Sequence, residues 1–148
     1  MTTRTAQCAC GRVRVSVEGE PHVVARCHCD FCQKRTGSSF QVVAIFAEDQ
    51  IVETVGETKV FNGLELDGEG MKVPGQADIG ISNHFCPTCG SAVYWYNDAL
   101  EGIRMIAVGC FVDPDFPAPT LDLFTSMRHH WIEDVPGATT FEKLPGSI

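Results

Sequence analysis

Residues 8–17, CACGRVRVSV, combine the two features on which the fold depends. The stretch opens with two cysteines separated by one residue and followed by Gly11. Three valines then alternate with polar residues, which is the period-two pattern of a strand with one buried face. The stretch therefore predicts a β-strand that begins directly after a pair of possible metal ligands.

Strand signals of this kind dominate the chain. Short apolar or alternating runs predict further strands over residues 22–26, 39–47, 51–55, 58–61, 91–96, 103–110 and 120–125. The run over 39–47 is apolar almost throughout and predicts a central strand. Helix signals are weak: the best is a short turn over 30–36 that ends at Gly37, and another covers 126–131. We therefore predict a mainly β fold, with the cysteines on turns between short strands.

Two segments predict irregular backbone. Residues 62–81 are rich in glycine and acidic residues and contain Pro74, and residues 113–119, DPDFPAP, contain three prolines. Neither segment separates regions of different composition, and the chain has no internal repeat. We therefore expect residues 1–148 to form a single domain, the default at this length.

The composition limits the possible partners. Hydrophobic residues make up 44% of the chain, but no apolar run approaches the roughly 18 residues needed to span a membrane. The formal net charge of -8 argues against a nucleic-acid surface, whose footprint is basic. The first ten residues lack the apolar stretch of a signal peptide, and the cysteine usage suits a reducing compartment. We therefore expect a cytoplasmic protein that has small-molecule partners and binds neither nucleic acid nor membrane.

Seven of the eight cysteines fall into three groups, and their sulfurs are the ligands that zinc prefers. The groups are Cys8 and Cys10; Cys27, Cys29 and Cys32; and Cys86 and Cys89. Seven sulfurs can form one closed site of four ligands and one site of three, whose open position is typical of catalytic zinc. The preferred division places Cys8, Cys10, Cys86 and Cys89 in the closed site, because the remaining three then form a compact group.

Other arrangements of the cysteines are possible from spacing alone. The two Cys-x-x-Cys units, Cys29 with Cys32 and Cys86 with Cys89, could form a zinc ribbon instead. A disulfide framework is disfavoured by the length of the chain and its low cysteine density. Both metals could also be structural, if a histidine filled the open position.

Several residues near the cysteines have more than one interpretation. Lys34 and Arg35 follow the middle group and could receive a substrate's carboxylates, although surface cations are often merely solvated. His28 is expected near the metal or facing solvent rather than as a ligand, and His84 as a strand residue. Cys110 is expected to be a buried free thiol. In addition, residues 94–96, YWY, alternate between two faces, so at least one aromatic ring should be exposed.

The three groups, in the order CACGRVRV, CHCDFCQKRTGSSF and HFCPTCGSAVYW, resemble the glutathione-dependent formaldehyde-activating enzyme family, which includes centromere protein V. The resemblance runs from about Cys8 to Pro145 and includes VGCFVDPDFPAP at 108–119. It departs from the family pattern at Gln33, where members often carry arginine, and in the loop over residues 62–81, which is longer than is usual in the family.

The resemblance implies a β-tent fold of small antiparallel sheets with zinc sites on the turns. It implies a structural zinc on Cys8, Cys10, Cys86 and Cys89, and a catalytic zinc on Cys27, Cys29 and Cys32. It further implies a carbon–sulfur lyase, similar to S-(hydroxymethyl)glutathione synthase, that joins a thiol such as glutathione to a small aldehyde such as formaldehyde. The alternative is a non-catalytic zinc-binding scaffold of the same fold.

Overall fold

The computed structural model describes residues 1–62 and 80–145. Within them the chain forms one α-helix, α1 (Asp30–Thr36), and short 3-10 helices at Glu48–Gln50, Val108–Phe111 and Thr125–Met127. The strands of these residues are β1 (Thr3–Gln7), β2 (Arg14–Glu18), β3 (Val23–Cys27), β4 (Gln41–Ala47), β5 (Ile51–Val55), β6 (Lys59–Asn62), β7 (Ile81–Phe85), β8 (Ala92–Asn97), β9 (Ile103–Ala107), β10 (Leu121–Leu123) and β11 (Thr139–Thr140). None of the described helices has the length and apolar character needed to cross a membrane.

The strands form two sheets, which confirms the predicted mainly β fold. One sheet is antiparallel and has the order β1-β2-β5, and the other has the order β11-β10-β3-β4-β9-β8-β7-β6. Along the part of the large sheet with the order β3-β4-β9-β8-β7-β6, each pair of neighbouring strands is antiparallel. In contrast, β10 runs parallel to both β3 and β11. The parallel pairing aligns Leu123 with Cys27 and so places the end of β10 beside the middle cysteine group.

The central strands of the large sheet are buried on both faces. Alternate residues of β4 divide between two apolar clusters: Phe46 packs with the valines of β2, whereas Val43 packs around the middle cysteine group. Tyr94 and Trp95 of β8 divide in the same way, and each is only 6% exposed. Tyr96 is also partly buried and packs against the same cluster as Tyr94. The expectation that one ring of residues 94–96 is exposed is therefore wrong, because the alternation separates two buried faces and not core from solvent.

The predicted short helix over 30–36 is confirmed as α1, which ends at Gly37 with a left-handed φ of 69°. The predicted strand over 103–110 ends earlier, at Ala107, because the chain turns into the 3-10 helix Val108–Phe111. The turn predicted over 126–131 is likewise shifted, to Thr125–Met127. Most of the loop predicted over 62–81 lies outside the described residues.

Candidate metal centres and the adjoining cavity

The structure brings Cys8, Cys10, Cys86 and Cys89 together, and all four sulfurs lie within 4.8 Å of one another. We call this group the first centre. Cys8 and Cys10 follow β1, and Cys86 and Cys89 follow β7, so the centre links two sheets. The Sγ of Cys10 lies 3.6 Å from the sulfurs of both Cys8 and Cys86. This grouping corresponds to the preferred division of the cysteines and not to the zinc-ribbon alternative.

Two tight turns position these sulfurs. Cys86 accepts a backbone hydrogen bond of 2.8 Å from Gly90, whose left-handed φ of 78° closes the turn. Cys8 accepts one of 3.0 Å from Gly11, which has the same φ. The N–H of Val13 then donates to the Cys8 sulfur at 3.2 Å, as expected of a turn that stabilises a thiolate.

The polar surroundings of the first centre favour ionised sulfur. The hydroxyl and backbone N–H of Ser91 lower the pKa of Cys89 to about 5. Burial opposes ionisation of Cys8, but the hydrogen bond from Val13 and the thiol of Cys10 leave its pKa below the ordinary value. The backbone of Arg12 lowers the pKa of Cys10, but burial and the neighbouring cysteines raise it to about 11. A divalent metal requires deprotonated ligands, so Cys8 and Cys89 are the two sulfurs already prepared for one.

The sulfurs of Cys27, Cys29 and Cys32 form the second centre, also within 4.8 Å of one another. Cys27 is the last residue of β3, and Cys29 caps the N-terminus of α1, where its sulfur accepts a hydrogen bond of 3.3 Å from the N–H of Cys32. The three sulfurs therefore come from a strand end and the first turn of a helix, and not from a loop alone. The three sulfurs converge without a ligand from a distant part of the chain.

The thiols of the second centre share their protons unequally. Hydrogen bonds from Cys27 and Cys32 lower the pKa of Cys29 to about 3. The Cys29 thiolate and burial in turn raise the pKa of Cys27. For Cys32, the effect of Cys27 is to lower the pKa, but Cys29 and burial raise it to about 12. Ionisation of one sulfur therefore opposes ionisation of the other two, and a bound cation would offset this repulsion.

A buried ion-pair network fixes the middle of this segment. His28, which is 0% exposed, contacts Asp122 Oδ1 through Nε2 at 2.7 Å, and Asp122 is likewise completely buried. Arg26 donates to both oxygens of the same carboxylate, at 2.9 and 2.6 Å. Burial alone would raise the pKa of Asp122, but the hydrogen bonds from Arg26 and His28 lower it. The carboxylate thus ties the end of β3 and the Cys27–Cys29 segment that follows it to β10.

This network decides between the two positions expected for His28 and adds residues that sequence reasoning missed. His28 lies outside the group of converging ligands, as expected, and it is buried beside the centre and does not face solvent. Arg26 and Asp122 received no functional assignment from the sequence, because they are 96 positions apart and only the β3–β10 pairing joins them. The cysteines on both sides of His28 are a local signal that its environment matters, but they do not identify its partner.

A cavity of about 260 Å3 opens beside the second centre. Its volume lies just below the range of about 300–1,000 Å3 that is typical of ligand pockets, which suits a small molecule. Cys27 and Cys32 contribute to its wall. The other described lining residues are mostly apolar: Val23, Ala25, Phe31, Arg35, Gln41, Val43, Ile45, Ile81, Trp95, Asn97, Leu100, Met105, Leu121, Leu123, Phe124, Leu144 and Pro145.

The two cations after the middle cysteine group differ in position. Arg35 lines the cavity, and its Nη2 donates to Gln41 Oε1 at 2.8 Å. Lys34 points to solvent, with a side chain 65% exposed beside Asp30. Gln33 lies outside the cavity and donates its side-chain amide to the carbonyls of His28 and Met127. Of the two predicted carboxylate receptors, only Arg35 is placed to meet a molecule in the cavity.

His84 and Cys110 lie outside both centres. His84 is a strand residue, as expected: its ring stacks on Tyr94 at 4.6 Å, and its Nδ1 lies 2.8 Å from Thr58 Oγ1. Cys110 is half-buried in the 3-10 helix Val108–Phe111 and is not fully buried as expected. Burial raises the pKa of Cys110 to about 11, so its thiol is unreactive at neutral pH.

Comparison with known proteins identifies the family of this chain. The model of the glutathione-dependent formaldehyde-activating enzyme family matches residues 3–127, which include all seven clustered cysteines. The chain belongs to the glutathione-dependent formaldehyde-activating enzyme family. None of the curated proteins compared matches the sequence.

The fold of this family member also resembles a solved structure. The crystal structure of a Rhodobacter sphaeroides protein, a Northeast Structural Genomics target, superimposes with a TM-score of 0.51 at 20% sequence identity. The similarity covers 74% of this chain and 91% of the other. At this identity the likeness shows a common fold alone.

The sulfur donors of both centres fit zinc. Four thiolates are a standard closed zinc set, and three leave one tetrahedral position open. Zinc fits these sites because it would offset the mutual repulsion of the converging sulfurs, which are negatively charged when ionised. Membership of the formaldehyde-activating family agrees with metal binding at these cysteines.

We expect zinc-loaded protein to hold two zinc ions per chain, with the ion at the second centre lost first during stepwise chelation. The reason is that four ligands hold a metal more tightly than three do. Metal analysis after each chelation step checks this order, and Cys32→Ser should remove only the weaker ion. A reproducible maximum of one zinc after careful reloading would contradict the prediction.

Proposed function

We propose that this protein is a zinc-dependent carbon–sulfur lyase-type enzyme that joins a small thiol to formaldehyde or a related aldehyde at the second centre. One observation carries the proposal: three sulfurs converge, and two of the three cysteines, Cys27 and Cys32, line a small apolar cavity, in a chain of the formaldehyde-activating family. A purely structural metal site has no need of an adjoining cavity. The first centre, which links two sheets, would hold the structural zinc.

The reaction is an addition that needs no oxidant or reductant. The thiol loses its proton, and its sulfur forms a bond to the carbonyl carbon of the aldehyde. The π bond of the carbonyl group opens, and its oxygen takes up a proton from water, which gives an S-hydroxymethyl adduct when the aldehyde is formaldehyde. Cleavage of the adduct is the same sequence in reverse, which is why a lyase assignment covers both directions.

The chain's own residues would act in three ways. Cys27, Cys29 and Cys32 would hold zinc, which supplies when bound a Lewis-acidic position that lowers the pKa of a thiol ligand. The apolar wall, including Trp95, would exclude water from the reacting sulfur. The His28–Asp122–Arg26 network would keep the Cys27–Cys29 segment in place, since fixed ligands give a fixed open position.

The test is exchange spectroscopy of formaldehyde with a panel of small thiols, using zinc-loaded protein. We expect catalysed exchange with at least one thiol, and a reduction of at least about 100-fold in Cys29→Ser, which corresponds to about 3 kcal/mol of lost stabilisation. Cys110→Ser is the matched control, because Cys110 belongs to neither centre, and it should retain the wild-type rate.

If no thiol is turned over above the Cys29→Ser background, the enzyme proposal fails and the zinc-binding scaffold remains.

The thiol chemistry also bears on location, since free thiolates persist best in a reducing compartment. We accordingly propose that the protein acts in the cytoplasm.

A further inference from the structure

We propose that the thiol substrate is a hydrophobic mercaptocarboxylic acid, whose single carboxylate is received by Arg35 inside the cavity. This inference rests on the proposed function, because it assigns a substrate class to the second centre. It differs from glutathione, the substrate in the family's name, in charge and polarity. Three observations support it: the lining of the cavity, the state of Arg35 and the spacing between Arg35 and Cys32.

The lining favours an apolar molecule. Val43, Leu121, Leu123 and Met105 are among the side chains that face the cavity, and Arg35 is the one charged residue among the described lining residues. Glutathione carries two carboxylates, one ammonium group and two peptide groups at neutral pH. Each charged or polar group that enters an apolar cavity without a partner costs free energy. The described wall offers an ionic partner for only one of these charges.

Burial lowers the pKa of Arg35, and the cysteines of the second centre, which are the acidic groups beside it, partly offset that effect. Its guanidinium stacks over the ring of Trp95 at 4.5 Å and lies 5.8 Å from the ring centre of Phe31. Nη2 donates to the neutral amide of Gln41, whereas Nε and Nη1 are buried and have no hydrogen-bond partner. No carboxylate of the described residues forms an ion pair with it. A planar fork held between aromatic rings is preorganised for a carboxylate.

The spacing limits the length of the substrate. Cys32 and Arg35 are three residues apart on α1, so their side chains leave the helix on the same face, with Cβ atoms about 5–6 Å apart. Both line the cavity. A molecule bound through sulfur at the second centre and through a carboxylate at Arg35 therefore has only a few bonds between the two groups. Its hydrophobic substituent would extend along the apolar wall.

A rival explanation is that Arg35 only balances the charge of the cysteine thiolates. In that case Arg35 would favour every thiol equally, whatever else the molecule carries. The two explanations differ in one measurable quantity, which is the preference for an acid over its uncharged amide. The apolar wall predicts a second difference, between either of these compounds and glutathione.

The experiment measures binding separately from turnover. The probes are 2-mercapto-3-phenylpropanoic acid, its carboxamide and glutathione, added to zinc-loaded protein carrying Trp131→Phe. Trp131 is 62% exposed, so its removal leaves the cavity-lining Trp95 as the fluorescent reporter. The same probes are then used in formaldehyde exchange. Variants Arg35→Gln and Arg35→Lys are compared with Lys34→Gln, which removes the exposed neighbouring cation of the same helix.

We expect the acid to bind at least about 10-fold more tightly than the amide, the scale of one charge-assisted hydrogen bond, and more tightly than glutathione. Arg35→Gln should abolish the preference for the acid, Arg35→Lys should retain part of it, and Lys34→Gln should retain all of it. Equal affinity for acid and amide in the wild type would overturn the proposal without any variant. An equal loss for all three probes in Arg35→Gln would favour charge balance and also overturn it.

The outcomes separate this proposal from the one on which it rests. Exchange with glutathione but not with the mercapto acid would reject the substrate class and leave the enzyme function intact. Selective binding of the acid without exchange of any thiol would support the role of Arg35 and reject the catalytic function.

Discussion

Cys86→Ser will strongly destabilise the protein, whereas Cys29→Ser will leave a folded chain whose second centre no longer holds metal. Cys10 and Cys86 meet although 76 positions separate them, so a metal at the first centre closes a long loop between two sheets. Zinc binding at structural sites contributes about 10–16 kcal/mol in small zinc domains, which rivals the whole stability of a typical protein. The second centre, by contrast, spans only six residues of a strand end and a helix start.

Substitution of Cys29 by serine separates the loss of a metal ligand from the loss of the helix cap. Serine at position 29 can still accept the hydrogen bond that the Cys29 sulfur accepts from the N–H of Cys32, so α1 keeps its N-cap. Thermal melts should show a loss of about 10 °C or more for Cys86→Ser and of a few degrees for Cys29→Ser. Cys110→Ser controls for the loss of a thiol outside both centres. Equal destabilisation by Cys86→Ser and Cys29→Ser would show that the two centres do not divide into structural and local roles.

Asp122→Ala will cost about 3–5 kcal/mol of unfolding free energy, because it leaves two buried partners without their carboxylate. Arg26 and His28 are 8% and 0% exposed, and both hydrogen-bond to Asp122. The segment between Cys27 and Cys29 would then lose its side-chain anchor on β10 and keep the backbone bond from His28 to Leu123, so the variant should also bind metal more weakly at the second centre. Denaturant titration measures the first effect, and metal analysis of the folded variant measures the second.

Asp134→Ala is the matched control for Asp122→Ala. Asp134 also pairs with an arginine, Arg128, but its side chain is 70% exposed, and exposed ion pairs contribute about 0–1 kcal/mol. Asp122→Asn should fall between the two, because the amide oxygen can still accept from Arg26 while the charge is gone. If Asp122→Ala and Asp134→Ala unfold at the same denaturant concentration, the buried network stabilises the fold no more than an exposed ion pair does. If Asp122→Ala holds metal at the second centre as tightly as the wild type, the network does not support that centre.

The sequence alone determined the features that depend on local spacing. The alternation at residues 13–17 predicts a strand because side chains of a strand point to opposite faces, and β2 occupies this stretch. The apolar run over 39–47 predicts a central strand, and β4 lies between β3 and β9 with both faces covered. The six-residue span of the middle cysteine group predicts that its sulfurs converge. Short range makes each of these inferences secure, because few other conformations satisfy the pattern.

Only the tertiary structure decided which distant residues meet. The parallel pairing of β10 with β3 brings Asp122 and His28 together. Such long-range pairing leaves no local pattern, so nothing in the sequence near Asp122 marks it as the partner of His28. The strand β1 was not predicted because only Ala6 of its five residues is buried, and its place depends on pairing with β2. Lys34 and Arg35 are adjacent cations in the sequence, yet the turn of α1 directs one to solvent and the other into the cavity. A helix rotates each successive residue by about 100°, so the packing of one helix face determines which neighbour can meet a substrate.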